Sequence, residues 1–195
     1  MGRMFRSKFH IETGFYIILA LSLLVIPFPW VLGWCFAVFF HELCHYLVLK
    51  LFRIPVFQIK MSAFGAQISA GNMTTGQEII CALAGPLGSL ALLSVQRTFP
   101  YIALCAFGQL VFNLLPIYPL DGGRVLAGIC LIFFDAKKGL YFSNIISIIF
   151  FIFLCVIFVA ISFNIKLGVM PLLLILFVLF RIIKIPCKAG AQIVQ

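Results

Sequence analysis

The chain is a series of long apolar blocks separated by short polar breaks, and most blocks are apolar all the way round the helical wheel instead of along one stripe. A helix needs about 20 apolar residues to cross a bilayer, and blocks of that order fall at residues 12–27, 30–52, 77–95, 101–134, 140–163 and 167–184. The first is short, and Pro27-Phe28-Pro29 predicts a tight exit turn. The fourth is too long for one straight helix, and Pro116, Pro119 and Gly122-Gly123 predict a break in its middle. Between the second and third blocks the period changes. Phe57, Ile59 and Met61 alternate with Gln58, Lys60 and Ser62, the period of two of a strand, and Gly65 allows a turn before residues 66–69. A short hairpin within 54–71, dipping into the protein from the cytoplasmic side, is expected; an interfacial loop is the alternative. The expected fold class is an all-α polytopic membrane protein, a single domain over residues 1–195. It has six transmembrane helices and a small membrane-associated β-hairpin between helices 2 and 3.

Composition agrees: 64% of residues are hydrophobic, 10% are charged, and the mean hydropathy is +1.22, outside the range of soluble domains. The basic segment 1–8 precedes an apolar stretch with no small-residue cleavage pattern, so a retained first segment is expected and no removable signal peptide. The net charge of +9 forms no separate basic patch, and nucleic acid is not an expected partner. With six crossings and a cytoplasmic N-terminus, twelve of the fourteen cations fall inside and only Arg97 and Lys166 outside, the bias of the positive-inside rule. Both termini are expected to face the cytoplasm of a bacterial cell. The seven cysteines occur without any Cys-x-x-Cys pair, which argues against a disulfide framework and a thiolate zinc site. Cys44 points away from its histidine neighbours on a helix and is read as packing.

The second block carries polar chemistry in the least favourable place for it. His41-Glu42-Leu43-Cys44-His45 lies inside an otherwise apolar run. On a helix His41 and His45 project from one face and can share a metal, with Glu42 beside them. This is the His-Glu-x-x-His pattern of zinc peptidases, in which the glutamate is the base acting on water. Roughly one chain in a thousand of this composition would carry it by accident. The histidines lie about 16 Å into the crossing, close to the bilayer midplane. A catalytic zinc takes three protein ligands, commonly two His and a carboxylate. Of the five acids, Glu12, Glu78 and Asp135 fall near interfaces. Asp121, on the broken part of the fourth block, is therefore the expected third ligand, because non-helical backbone and an acid at depth mark a functional site. Thr75-Gly-Gln-Glu78 has capping-box spacing, which gives Glu78 a structural role. Ala84-Gly85-Pro86-Leu87 predicts a local break in the third helix and close approach of a neighbouring backbone; a packing kink and a direct role both fit.

The motifs at 41–45 and 113–123, with Phe64-Gly65 and Ala84-Gly85-Pro86-Leu87 between them, resemble the site-2 protease family of intramembrane zinc metalloproteases. The run Asn113-Leu114-Leu115-Pro116-Ile117-Tyr118-Pro119-Leu120-Asp121-Gly122-Gly123 most resembles its bacterial sporulation branch, whose members process a membrane-tethered pro-sigma factor. The resemblance covers about residues 40–124. It implies a six-helix membrane core with one Zn2+ held by His41, His45 and Asp121, and Glu42 as general base. It further implies that Asn113, Gly65 and Pro116 belong to the substrate-binding or oxyanion region. Two departures stand out. Members often carry Asn three residues after the Gly-Pro pair, where this chain has Ser89. Sporulation members commonly carry a CBS domain after the sixth helix, whereas this sequence ends at Gln195, so a catalytic membrane core without a CBS domain is expected.

The expected partners are a membrane-tethered protein substrate, the lipid bilayer and regulatory membrane proteins. The rival classes are a zinc or proton transporter, since buried His and Asp also mark ion pathways, and an inactive membrane scaffold. Serine protease chemistry is not indicated: no serine has a Gly-x-Ser-x-Gly context, and the third histidine, His10, falls near the N-terminal interface.

Overall fold

The continuous apolar run after Pro27 folds as one helix because nothing inside it breaks helical geometry. The residue before Pro27, Ile26, is held extended (φ −110°, ψ 135°), as a following proline requires, so helix α1 (Thr13–Val25) stops there and α2 (Phe28–Leu51) starts with Pro29 in its first turn. The structure, a computed structural model, describes residues 8–62 and 65–165, with side chains through residue 157. The predicted sixth crossing, 167–184, lies outside the described residues. The chain divides into two compact units, Met1–Asn113 and Leu114–Gln195.

In the first unit α2 ends in a Schellman motif. Arg53 adopts φ 58°, Ile54 N–H donates to the Leu49 carbonyl at 2.9 Å and Arg53 N–H to Lys50 at 3.0 Å. The hydrophobic contact that accompanies this motif is present: Leu49, Ile54 and Cys81 form one buried cluster. The predicted hairpin follows as β2 (Val56–Ser62) and β3 (Gly65–Ala70), paired antiparallel. Val56, Ile68 and Ala70 pack on that same cluster, so the hairpin rests on helices. A third strand, β1 (Lys8–Ile11), pairs parallel to β2 with Phe9 opposite Ile59, giving the order β1-β2-β3. This strand was not expected, and it places His10 in a sheet.

Helix α3 (Thr75–Leu92) is capped one residue earlier than expected. Thr74 is the N-cap, its hydroxyl accepts from Gln77 N–H at 3.3 Å, and Gln77 Oε1 accepts from Thr74 N–H at 3.0 Å. The box is thus Thr74/Gln77 in place of Thr75/Glu78. The expected break at Gly85-Pro86 is also corrected, since α3 continues through Pro86. A 3-10 turn (Leu93–Val95) leads to α4 (Pro100–Asn113). Small residues on α3, among them Ala82, Gly85, Gly88 and Ser89, are buried and allow close helix approach. Trp30 packs edge-on against Tyr101, a Cβ on Gly33 would meet the Tyr101 carbonyl, and Ala37 clusters with Ala106. Helices α2 and α4 therefore run parallel, with an offset of about 69 residues.

The second unit contains α5 (Asp121–Phe133) and α6 (Ala136–Ile165). The predicted fourth crossing is thus two helices separated by the loop 114–120. Among the described residues three helical stretches are long and apolar enough to cross a membrane: Phe28–Leu51, Thr75–Val95 and Ala136–Ile157. Helices α1, α4 and α5, of 13, 14 and 13 residues, rise about 20 Å each and fall short of a 30 Å core. The expectation of six full crossings is reduced accordingly. Large apolar side chains cover the outside of α1, where Leu24 is 82% and Val25 79% exposed, a surface suited to lipid. This is a membrane protein.

Candidate metal centre

Helix α2 buries one narrow stripe, Gly33, Ala37, His41, His45 and Leu49, at four-residue spacing. His41 and His45 are therefore carried inward by the same geometry that buries their apolar neighbours; they are 2% and 6% exposed. Buried imidazoles need partners, and each Nδ1 has one on α3. His45 Nδ1 lies 2.7 Å from the carbonyl oxygen of Cys81 and His41 Nδ1 2.9 Å from Ser89 Oγ. A carbonyl only accepts, so His45 carries its proton on Nδ1 and, as a neutral ring, presents a lone pair at Nε2. The two Nε2 atoms face each other at 3.2 Å.

That arrangement fits a shared zinc ion. Two nitrogens on a tetrahedral zinc with bonds of about 2.0–2.1 Å stand roughly 3.3 Å apart. Gly85 supports the assignment. A Cβ there would lie 2.5 Å from His41 Nε2 and against His45 Nε2, in the space a common cation needs. A histidine that binds a metal through Nε2 commonly gives its Nδ1–H to a neighbouring acceptor, which fixes the ring's orientation. Glu42, the next residue on α2, is half-buried. Cys44 packs its sulfur against Gly88 and turns away from the pair, as its helical direction predicts.

Continued along both helices, the offset of about 69 residues sets Leu110 level with His41 and Asn113 within one residue of the level of His45. Asn113 Nδ2 donates to the Gln109 carbonyl at 3.1 Å, which uses one of its two amide protons. Gly65 sits at the start of β3 with φ 112°, and a Cβ there would meet nothing within 4 Å. Its backbone conformation, not crowding, requires glycine.

In the second unit Asp121 is buried as the first residue of α5, where the helix dipole favours a carboxylate. Its Oδ1 lies 3.7 Å from Arg124 Nη1. The two glycines after it let the loop fold back onto α5. A Cβ on Gly122 would lie 2.6 Å from the Leu115 carbonyl oxygen, and one on Gly123 2.6 Å from that of Ile117. Ile117 and Leu120 are fully buried and anchor the loop; Pro116 is half-buried, and Tyr118-Pro119 is a cis peptide. Ser89 and the Cys81 carbonyl are the parts of the centre that sequence reading left without a role; for Ser89 there was one signal. Its spacing of four from Gly85 on α3 was the available signal.

Residues 67–157 match the family model for Peptidase family M50. Stage IV sporulation protein FB of Bacillus subtilis is 32% identical over 133 residues, covering 61% of this chain and 46% of that protein. A protein of Synechocystis named as a zinc metalloprotease is 31% identical over 163 residues, covering 66% of this chain and 43% of its own length. The chain thus spans less than half the length of these curated relatives. The solved structure of the site-2 protease from Methanocaldococcus jannaschii superposes with a TM-score of 0.63 at 22% identity, over 92% of this chain and 90% of that one. At that identity the likeness concerns the fold.

Proposed function

We propose that this chain, which belongs to peptidase family M50, is the membrane-embedded core of a zinc metalloprotease that cleaves a membrane-tethered protein within or near its transmembrane segment. The observation that carries the reading is the pair of Nε2 atoms 3.2 Å apart, each ring anchored at Nδ1 by a group on α3. In this reading His41, His45 and Asp121 hold the ion, a standard set of two imidazoles and a carboxylate. Burial of Asp121 at a helix N-terminus supports its part. Bound zinc would polarise the scissile carbonyl and lower the pKa of water. Glu42 takes a proton from the attacking water and returns it to the leaving amine. Asn113, close to the level of His45 and holding a second amide proton, donates to the developing oxyanion, a contact worth about 2.7–4 kcal/mol in other hydrolases.

A helical substrate hides its carbonyls behind backbone hydrogen bonds and must be unwound before attack. With β1 on one side of β2, the exposed edge of β3 beginning at Gly65 offers an extended substrate replacement bonds. Pro116 lies in the loop leading to Asp121, where it would border the substrate. The likeness to a sporulation protein supports a pro-sigma factor as one substrate candidate. The distribution of cations among the breaks between apolar blocks supports both termini on the cytoplasmic side of a bacterial membrane, and regulatory membrane proteins are proposed as further partners.

The test is co-expression with candidate membrane-tethered transcription factors. A shortened product should form with the parent and not with Glu42→Gln, while both variants bind zinc equally. Equal cleavage by the Glu42 variant would remove the assignment of the base.

A further inference from the structure

The two histidines are held by chemically different partners, and the difference has a use. His45 Nδ1 meets a carbonyl, which fixes one tautomer. His41 Nδ1 meets the hydroxyl of Ser89 at 2.9 Å, and a hydroxyl both donates and accepts. The two Nε2 atoms stand 3.2 Å apart. Two lone pairs at that separation repel unless a proton or a cation lies between them.

We propose that Ser89 is a two-way partner that lets His41 exchange tautomers as the metal site loads; the inference rests on the metal-site reading above. Without a cation, Ser89 Oγ–H donates to His41 Nδ1, and His41 carries its proton on Nε2, donating to the lone pair of His45 Nε2. With a cation, His41 gives its Nε2 proton to solvent and takes one from solvent at Nδ1 during a transient opening of the His41–Ser89 hydrogen bond, and the Ser89 hydroxyl, keeping its own proton, rotates to accept from Nδ1–H. His41 holds one ring proton before and after, so the exchange releases none. A carbonyl in place of the hydroxyl would lock His41 in the metal-binding tautomer and leave two lone pairs opposed whenever the metal is absent. An alanine would support neither state. Ser89 is 0% exposed on the inner face of α3, so bulk water does not readily replace its hydroxyl. It is a positioning residue, acting on the ion through His41.

The full chain, purified in detergent micelles with 15N-labelled histidine and stripped by a chelator, provides the test. Two-bond proton–nitrogen correlation spectra read the tautomer of each ring before and after zinc is added, and chelator competition gives zinc affinity. The expected result is His41 moving from the Nε2–H to the Nδ1–H form on zinc binding, with His45 in the Nδ1–H form throughout. Ser89→Ala should lower zinc affinity roughly 10–100-fold. Because alanine also leaves a small void, Ser89→Thr and Ser89→Val form a volume-matched pair that differs in the hydroxyl, and affinity should follow the hydroxyl. A parent protein that binds zinc while His41 keeps one tautomer overturns this inference alone, as do equal affinities for the threonine and valine variants. A parent that binds no zinc overturns the metal-site reading and this inference with it.

Discussion

Gly85→Ala tests the metal centre through a single methyl group. The added Cβ would lie 2.5 Å from His41 Nε2 and 2.7 Å from His41 Cε1, and would also meet His45 Nε2. Ordinary contact between such atoms needs about 3.5 Å, so α3 and the rings must separate by roughly 1 Å. Metal-site distances tolerate about 0.2 Å, so the displacement is about five times what coordination allows. Zinc affinity should fall at least about 100-fold, at or beyond the upper end of losses from removing a group that hydrogen-bonds a metal ligand. Stability should change much less. Alanine gains about 0.5–1 kcal/mol over glycine inside a helix, and overpacking costs about 1–3 kcal/mol, a net loss of about 0–2.5 kcal/mol. That corresponds to a fall in Tm of a few degrees. Zinc affinity by chelator competition and thermal melting of the metal-stripped protein in micelles separate the two effects. Gly76→Ala, on the same helix with nothing within 4 Å of the new methyl, is the control and should leave zinc binding unchanged. Zinc binding by Gly85→Ala within threefold of the parent would refute the placement of the ion between the two Nε2 atoms.

The remaining predictions concern other parts of the fold. Asp121→Asn keeps the volume of the side chain and removes its charge; zinc affinity should fall by at least tenfold with little change in helix content, read by chelator competition and circular dichroism. Thr74→Ala removes the capping hydroxyl of α3 and should cost about 1 kcal/mol in equilibrium unfolding, whereas Thr75→Ala should cost much less, because only Thr74 sits at the N-cap. Gly123→Ala drives a methyl into the Ile117 carbonyl and should destabilise the protein by about 1–3 kcal/mol, seen as a lowered Tm in thermal melting.

What could be read from the chain depended on how local the cause of each feature was. The His41–His45 pairing follows from four-residue spacing on one helix, and the hairpin from the alternation of Phe57 through Ser62; both need only neighbouring residues, and both are present. The capping box was ambiguous locally, because Thr74-x-x-Gln77 and Thr75-x-x-Glu78 satisfy the same spacing. Only the extended backbone of Thr74 (φ −70°, ψ 157°) selects between them. Strand β1 was invisible for a different reason: four residues carry too little alternation, and their conformation is imposed by β2, where Lys8 is opposite Gln58. Gly85-Pro86 shows the same limit from the other side. The pair suggested a broken helix, yet α3 stays whole, and the demand for a glycine comes from two imidazoles carried by α2. Ser89 and the Cys81 carbonyl belong to that same long-range class. A motif search finds the atoms that would bind an ion, but the groups that orient those atoms lie 36 and 48 residues away and become legible only when α3 is packed against α2. Substitutions at those supporting positions, more than at the histidines themselves, separate a built metal centre from two histidines that happen to be four residues apart.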